Sequence, residues 1–184
     1  MSNKGNKRSF TAGSREKLPK YLEKEEIEKI LNRTKENNRI HYLILLAMWR
    51  TGGRCIDIVQ MKKEDVKPDE ITFRNSKGGV DRIVPIESHV YDLLSYHMTH
   101  MRYNERLFPM SKSNIRKFLK NYVGDKKWVH PHTFRHSFAV YALKNGLNIR
   151  ALQKILGHKS LETTAVYLDL IAEDVKSEYN KIPW

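Results

Sequence analysis

Apolar residues along this chain recur mostly at helical spacing, and two short runs break that rhythm. Leu22, Ile27, Ile30 and Leu31, interspersed with the acidic EKEE stretch, predict an amphipathic helix with its carboxylates at the favourable end of the dipole. Ile40 to Trp49 is apolar on most sides, which places a second helix centrally in a core. TGGR interrupts that helix, and Ile56, Val59 and Met61 resume the period, so Arg54 sits at a break that glycine permits. The runs EITFR and DRIVPI, separated by NSKGGV, predict a β-hairpin with Lys77 projecting from its turn. Val90, Leu93, Leu94 and Met98 define another helix. Ile115, Phe118, Leu119 and Tyr122 define the next, capped by Ser113 or Asn114.

The segment HPHTFRHSFAVYALKNG opens with Pro131 and Thr133 and closes at Asn145-Gly146, the start and stop signature of a helix. Asn148 caps the following one, whose stripe is Ile149, Leu152, Ile155 and Leu156 and whose end is Gly157. Ser160 is expected to cap LETTAVYLDL, and AEDVKSEYNK forms a last helical stretch before Pro183-Trp184. The fold class expected is α+β, mainly α-helical, with a small antiparallel β-hairpin or sheet.

A length of 184 residues suits one well-cored domain, here 19–184, preceded by a basic, aperiodic arm or linker over 1–18. With 34 Lys and Arg against 21 Asp and Glu, the net charge of +13 points to a polyanion. Nucleic acid leads, with an anionic membrane surface or plain solubility as competitors. Cys55 is the sole cysteine, which excludes an intrachain disulfide and a cysteine-rich zinc site and fits a reducing compartment. The N-terminus lacks a signal-like apolar core and YLILLAMW is too short to span a bilayer, so a soluble, cytoplasmic, DNA-associated protein is expected.

His132 and Arg135 stand three apart at a helix entrance, where free backbone N–H groups favour an anion; that is a phosphate site in outline. Taken alone, Arg135 fits equally a salt bridge to a surface carboxylate, with the histidines as partly buried polar groups. His130, His132 and His136 offer imidazoles to a metal, but no cysteine or carboxylate lies close in sequence to finish a zinc shell, so neither metal nor cofactor is expected. Read singly, Tyr167 in AVYLDL is a core aromatic, Lys77 a solvated loop charge and Arg54 a helix cap.

Their conjunction says more. TGGRCIDIVQMKKEDV, NSKGGVDRIVPI, the H-x-x-R box and LGHKSLETTAVYLDL, in that order, resemble the catalytic domain of the tyrosine recombinases, the phage-integrase and site-specific recombinase family. The resemblance runs from about Leu18 to Tyr167. It implies Arg54 as the first arginine with Asp57 supporting it, Lys77 as the hairpin lysine, and His132 and Arg135 as the H-x-x-R pair. His158 falls on the L-G-H histidine and Tyr167 on the nucleophile.

In the chemistry so implied, Tyr167 attacks a DNA phosphate, expels a 5′ hydroxyl and forms a 3′-phosphotyrosine that conserves the bond energy, with no ATP or metal. A phenol of ordinary pKa about 10 needs a base or a cationic field to react at neutral pH. Arg54 and Arg135 supply the field and grip nonbridging oxygens. Lys77 is the implied general acid, His132 an acid/base partner near the tyrosine, His158 a hydrogen-bond donor to phosphate, and Asp57 an orienting group. Two other outcomes share these residues: a non-catalytic DNA-binding regulator, and DNA relaxation of the type IB topoisomerase kind.

Family members usually carry a helical core-binding domain ahead of the catalytic one, and it is expected to be absent here, in a natural minimal protein or a catalytic fragment. The partner expected is double-stranded DNA, with a tetrameric synapse on two duplexes and a monomer in free solution. The tail 168–184, with Val175, Tyr179 and Trp184 on one face, is left to dock either on a neighbouring protomer or in cis.

Overall fold

Ile27, Ile30 and Leu31, spaced for one helix face, are buried along α1 (Lys24–Asn37), whose start is closed by the Glu23 N–H donating to the Glu26 carboxylate at 2.9 Å. The computed structural model describes residues 18–74, 81–171, 179, 180 and 183. Asn38 caps α2 (Arg39–Thr51), accepting the His41 N–H at 3.0 Å. Every residue from Leu43 to Trp49 is buried, because α2 packs against both α1 and α6 (Pro131–Lys144). Gly52, at φ 61, ends α2 in the left-handed conformation.

After α3 (Cys55–Gln60) and a 3-10 turn at Lys63–Asp65, β1 (Glu70–Phe73) and β2 (Arg82–Pro85) pair antiparallel, with Phe73 opposite Arg82. Ile71, Phe73 and Val84 face the core, and Arg82 shares the inward face of Val84 while Ile83 points out. The hairpin turn and Lys77 lie outside the described residues, as do the 1–17 part of the arm and most of the tail. Then come α4 (Ser88–Met98), α5 (Lys112–Leu119), α6, α7 (Ile149–Leu156), α8 (Glu162–Ala165) and α9 (Leu168–Ile171). The α+β, mainly helical class holds. Among the described residues no helix is long and apolar enough to cross a membrane.

Two expectations need correcting. The cap of α5 is Ser111, neither Ser113 nor Asn114: its hydroxyl accepts the Asn114 N–H at 3.1 Å, and those two residues lie inside the first turn. LETTAVYLDL is not one helix capped by Ser160. It breaks at Val166–Tyr167, where the Tyr167 N–H bonds three residues back to the Thr164 carbonyl at 3.1 Å, and Ser160 makes no cap. Burial of the tyrosine ring accounts for the break. Ala139, Val140, Leu143, Leu152, Leu156 and Tyr167 form a second, smaller core between α6, α7 and the α8–α9 corner. A large side chain buried there contributes on the order of 1.5–3 kcal/mol, enough to override the helix propensity of a run in which Thr163, Thr164 and Val166 are β-branched.

Candidate active site

The site is assembled where three helix ends meet. Pro131 and the Thr133 hydroxyl, which accepts the His130 N–H at 3.1 Å, start α6 and aim its first turns at the C-termini of α2 and α7. Arg135, only 3% exposed, lies between those two ends. Its guanidinium donates to the Gly52 carbonyl at 2.9 Å and to the Leu156 carbonyl at 2.7 Å. Carbonyls at helix C-termini lack intrahelical partners and carry the negative end of the dipole, so they are suited to hold a cation. The surface-carboxylate alternative for Arg135 is therefore set aside.

Burial first, and the neighbouring Arg54 second, push the Arg135 guanidinium down to about 9, still charged at neutral pH. Among the described residues no carboxylate forms a salt bridge with Arg54 or Arg135. Two guanidiniums in each other's field, neither salt-bridged among the described residues, make a socket for an anion.

Asp57 acts through a residue that the sequence reading did not single out. Its carboxylate accepts the Arg54 N–H at 2.7 Å and also binds the Arg82 guanidinium, while Arg82 Nε donates to the Ile155 carbonyl at 2.9 Å and its fork lies over the Phe73 ring at 4.7 Å. Arg82 thereby ties the hairpin to α3 and α7. The signal was available: in a two-residue period Arg82 must share the face of Val84. Gly157, at φ 65, makes room for it, because a Cβ there would stand 2.9 Å from Arg82 Cδ. Gly157→Ala is expected to cost about 1–3 kcal/mol of stability through left-handed strain and displacement of Arg82, read as a lowered midpoint in thermal unfolding.

Beyond Gly157, the His158 N–H bonds to the Gln153 carbonyl at 3.1 Å, and Nδ1 meets the hydroxyl of buried Thr164 at 2.9 Å. Tyr167 is 3% exposed, and its hydroxyl lies 2.9 Å from Nδ1 of His136. That contact was also missed; His136, one turn beyond His132 on the same face, entered the sequence reading only as a metal candidate or a partly buried polar group. Rings of His130, His132 and His136 run in a row, with centroids 6.3 and 6.4 Å apart. Among the described residues no three His, Cys, Asp or Glu side chains are placed to hold a metal ion.

The result is a cleft of about 560 Å³ lined by Arg54, His132, Arg135, His136, His158 and Tyr167. Five of the six expected catalytic residues thus share one wall, with Asp57 behind it. The sixth, Lys77, lies in 75–80, outside the described residues.

Burial pushes the Tyr167 phenol up, against a downward pull from Arg135 and Arg54. Burial and then neighbouring positive groups push His136 and His158 down to about 4 from 6.5, and His132 is lowered for the same reasons. The folded state therefore disfavours imidazolium. Stability from these histidines is fully present above 6.5, is withdrawn as pH falls through 6.5 toward 4, and is gone below both values. Thermal midpoints measured across that interval should fall more steeply in the parent than in His158→Gln.

The phage integrase family profile matches residues 20–173. A tyrosine recombinase of Pseudothermotoga lettingae is 33% identical over 179 residues, covering 91% of this chain and 62% of the relative. Tyrosine recombinase XerA of Thermococcus kodakarensis is 34% identical over 178 residues, covering 89% and 63%. The chain thus spans less than two thirds of the length of these relatives. Among solved structures, a XerA recombinase superposes with a TM-score of 0.75 at 28% identity, covering 92% of this chain and 68% of that one. The catalytic domain of bacteriophage HP1 integrase gives 0.68 at 27% identity, covering 89% and 95%. By profile, by sequence and by the folded arrangement of helices around one short hairpin, the chain belongs to the phage integrase family of tyrosine recombinases.

Proposed function

We propose that this chain cleaves and rejoins double-stranded DNA as a site-specific recombinase or integrase, through a 3′-phosphotyrosine on Tyr167. The observation that carries the reading is the Tyr167 hydroxyl held in one cleft with Arg54 and Arg135, neither of them in a salt bridge with a carboxylate among the described residues. A phosphodiester entering between the guanidiniums relieves their mutual repulsion and brings phosphorus to the phenol. As the Tyr167 oxygen bonds to phosphorus, the bond to the 5′ oxygen breaks, and charge developing on the nonbridging oxygens meets donors already in place. Lys77 protonates the departing 5′ oxygen, His158 donates to the phosphate, and His132 is an acid/base group on the same wall. Asp57, through Arg82 and the Arg54 backbone, is a positioning residue.

The return attack of a 5′ hydroxyl reseals the strand, on the same or another duplex. The net charge of +13 supplies the long-range attraction for DNA, and a XerH site-specific recombinase bound to its difH substrate shares the fold. A tetramer on two duplexes, from a chain monomeric in free solution, completes the reading.

The test is a denaturing gel of the protein incubated with nicked duplexes at low salt, followed by mass spectrometry of the adducted peptide. DNA linked to the Tyr167 peptide is the expected result. Binding without an adduct would replace the reading with a DNA-binding regulator. Relaxation of supercoiled plasmid regardless of sequence would replace it with a topoisomerase.

A further inference from the structure

We infer that His136 is the base that takes the Tyr167 proton as the phenol attacks, a role that rests on the strand-transfer reading above and that the sequence pattern assigned to His132. The geometry separates the two imidazoles. His136 Nδ1 lies 2.9 Å from the Tyr167 hydroxyl, within the distance that proton transfer requires. His132 is displaced toward the mouth of α6, its ring centroid 6.4 Å from that of His136, and makes no hydrogen bond to the tyrosine. Of the histidines lining the cleft, His158 has its Nδ1 committed to Thr164.

The environment suits the task. His136 is only partly exposed and faces His130, His132 and Arg135 on or beside its own helix, Arg54 from the α2–α3 break, His158 from the end of α7 and Tyr167 from the α8–α9 corner. Burial first, and then His132, His130 and Arg135, keep the His136 imidazole neutral, so its Nδ1 lone pair accepts the phenol O–H. A bound phosphodiester supplies the missing negative charge, which raises the basicity of His136 when the proton must move. The step balances: the phenolic proton passes to His136 Nδ1, the Tyr167 O–P bond forms, and the P–O5′ bond breaks with its electron pair on the 5′ oxygen. In the reverse direction imidazolium returns the proton to the leaving phenolate.

The decisive substrate is a duplex from a random-sequence pool, nicked and carrying a bridging 5′-phosphorothiolate, whose thiolate leaves without a general acid. With it, single-turnover adduct formation reports the tyrosine side of the reaction alone. His136→Gln keeps a hydrogen-bonding side chain but no base, and is expected to slow the adduct about 10²–10⁴-fold while noncovalent DNA binding stays at the parent level. The parent rate should fall as pH drops through the titration of His136 in the complex, a limb missing from His136→Gln, and added imidazole should restore His136→Ala. His132→Gln should keep that limb. Near-parent cleavage by His136→Gln, a missing limb in His132→Gln instead, or no imidazole rescue of a DNA-binding His136→Ala would overturn the assignment. Absence of any Tyr167 adduct in the parent protein would overturn the strand-transfer reading and the base with it; an adduct that His136→Gln forms unimpaired removes the base alone.

Discussion

Tyr167→Phe is expected to abolish the covalent protein–DNA adduct while leaving noncovalent binding close to the parent level. Of the nine tyrosines, all of them at described positions, Tyr167 is the one lining the cleft with Arg54 and Arg135. Loss of its oxygen removes the reacting atom and leaves the phosphate socket intact. The ring keeps its packing against the second core, so the structural cost is one hydrogen bond to His136, about 0.5–1.5 kcal/mol. That separation makes the variant informative. A denaturing gel reads the adduct, a mobility shift at the same salt reads the binding, and calorimetry verifies that the domain still unfolds cooperatively. An adduct surviving in Tyr167→Phe would mean another nucleophile and would dissolve the proposed geometry, since no second tyrosine shares the cleft.

What the sequence discloses and what it conceals divide along sequence separation. Pro131 at the start of α6, Asn148 capping α7 and Gly157 ending it are read from local chemistry, and each is in place. Five of the six catalytic residues expected from the family pattern also share a wall, because Arg54 sits at a helix break, His132 and Arg135 within one turn, and His158 and Tyr167 on either side of a short helix. Hidden from that reading were contacts between distant segments. Arg135 reaches carbonyls 83 and 21 residues away, and Asp57 meets Arg82 across 25 residues; no period or motif encodes such pairings. Local propensity also favoured one helix through Tyr167, and the pull of a buried aromatic ring overrode it. The Tyr167–His136 contact spans 31 residues, and the family pattern pointed to His132 instead.

Arg135→Lys tests the other half of the site, and there fold and function are not separable. The arginine spans two helix ends with two of its five N–H donors and still presents a fork edge to the cleft. An ammonium is a single point: it can reach one carbonyl or the phosphate, not the whole set. One buried carbonyl left without a donor costs about 1–3 kcal/mol, and in a domain of this size each kcal/mol lowers the thermal midpoint by roughly 2–4 °C. Charge is lost as well. Burial and Arg54 bring Arg135 down to about 9, and a lysine at the same buried position starts lower and is pushed in the same direction. Residual cleavage by Arg135→Lys should therefore decline at a lower pH than that of the parent, as the ammonium loses its proton before the guanidinium does. At neutral pH the adduct rate should drop about 10²–10³-fold, the range for removing one transition-state donor, with a much smaller loss of DNA binding. Cleavage near the parent rate, with the midpoint lowered as expected, would leave Arg135 as a structural staple between α2 and α7 and would shift transition-state stabilisation onto Arg54.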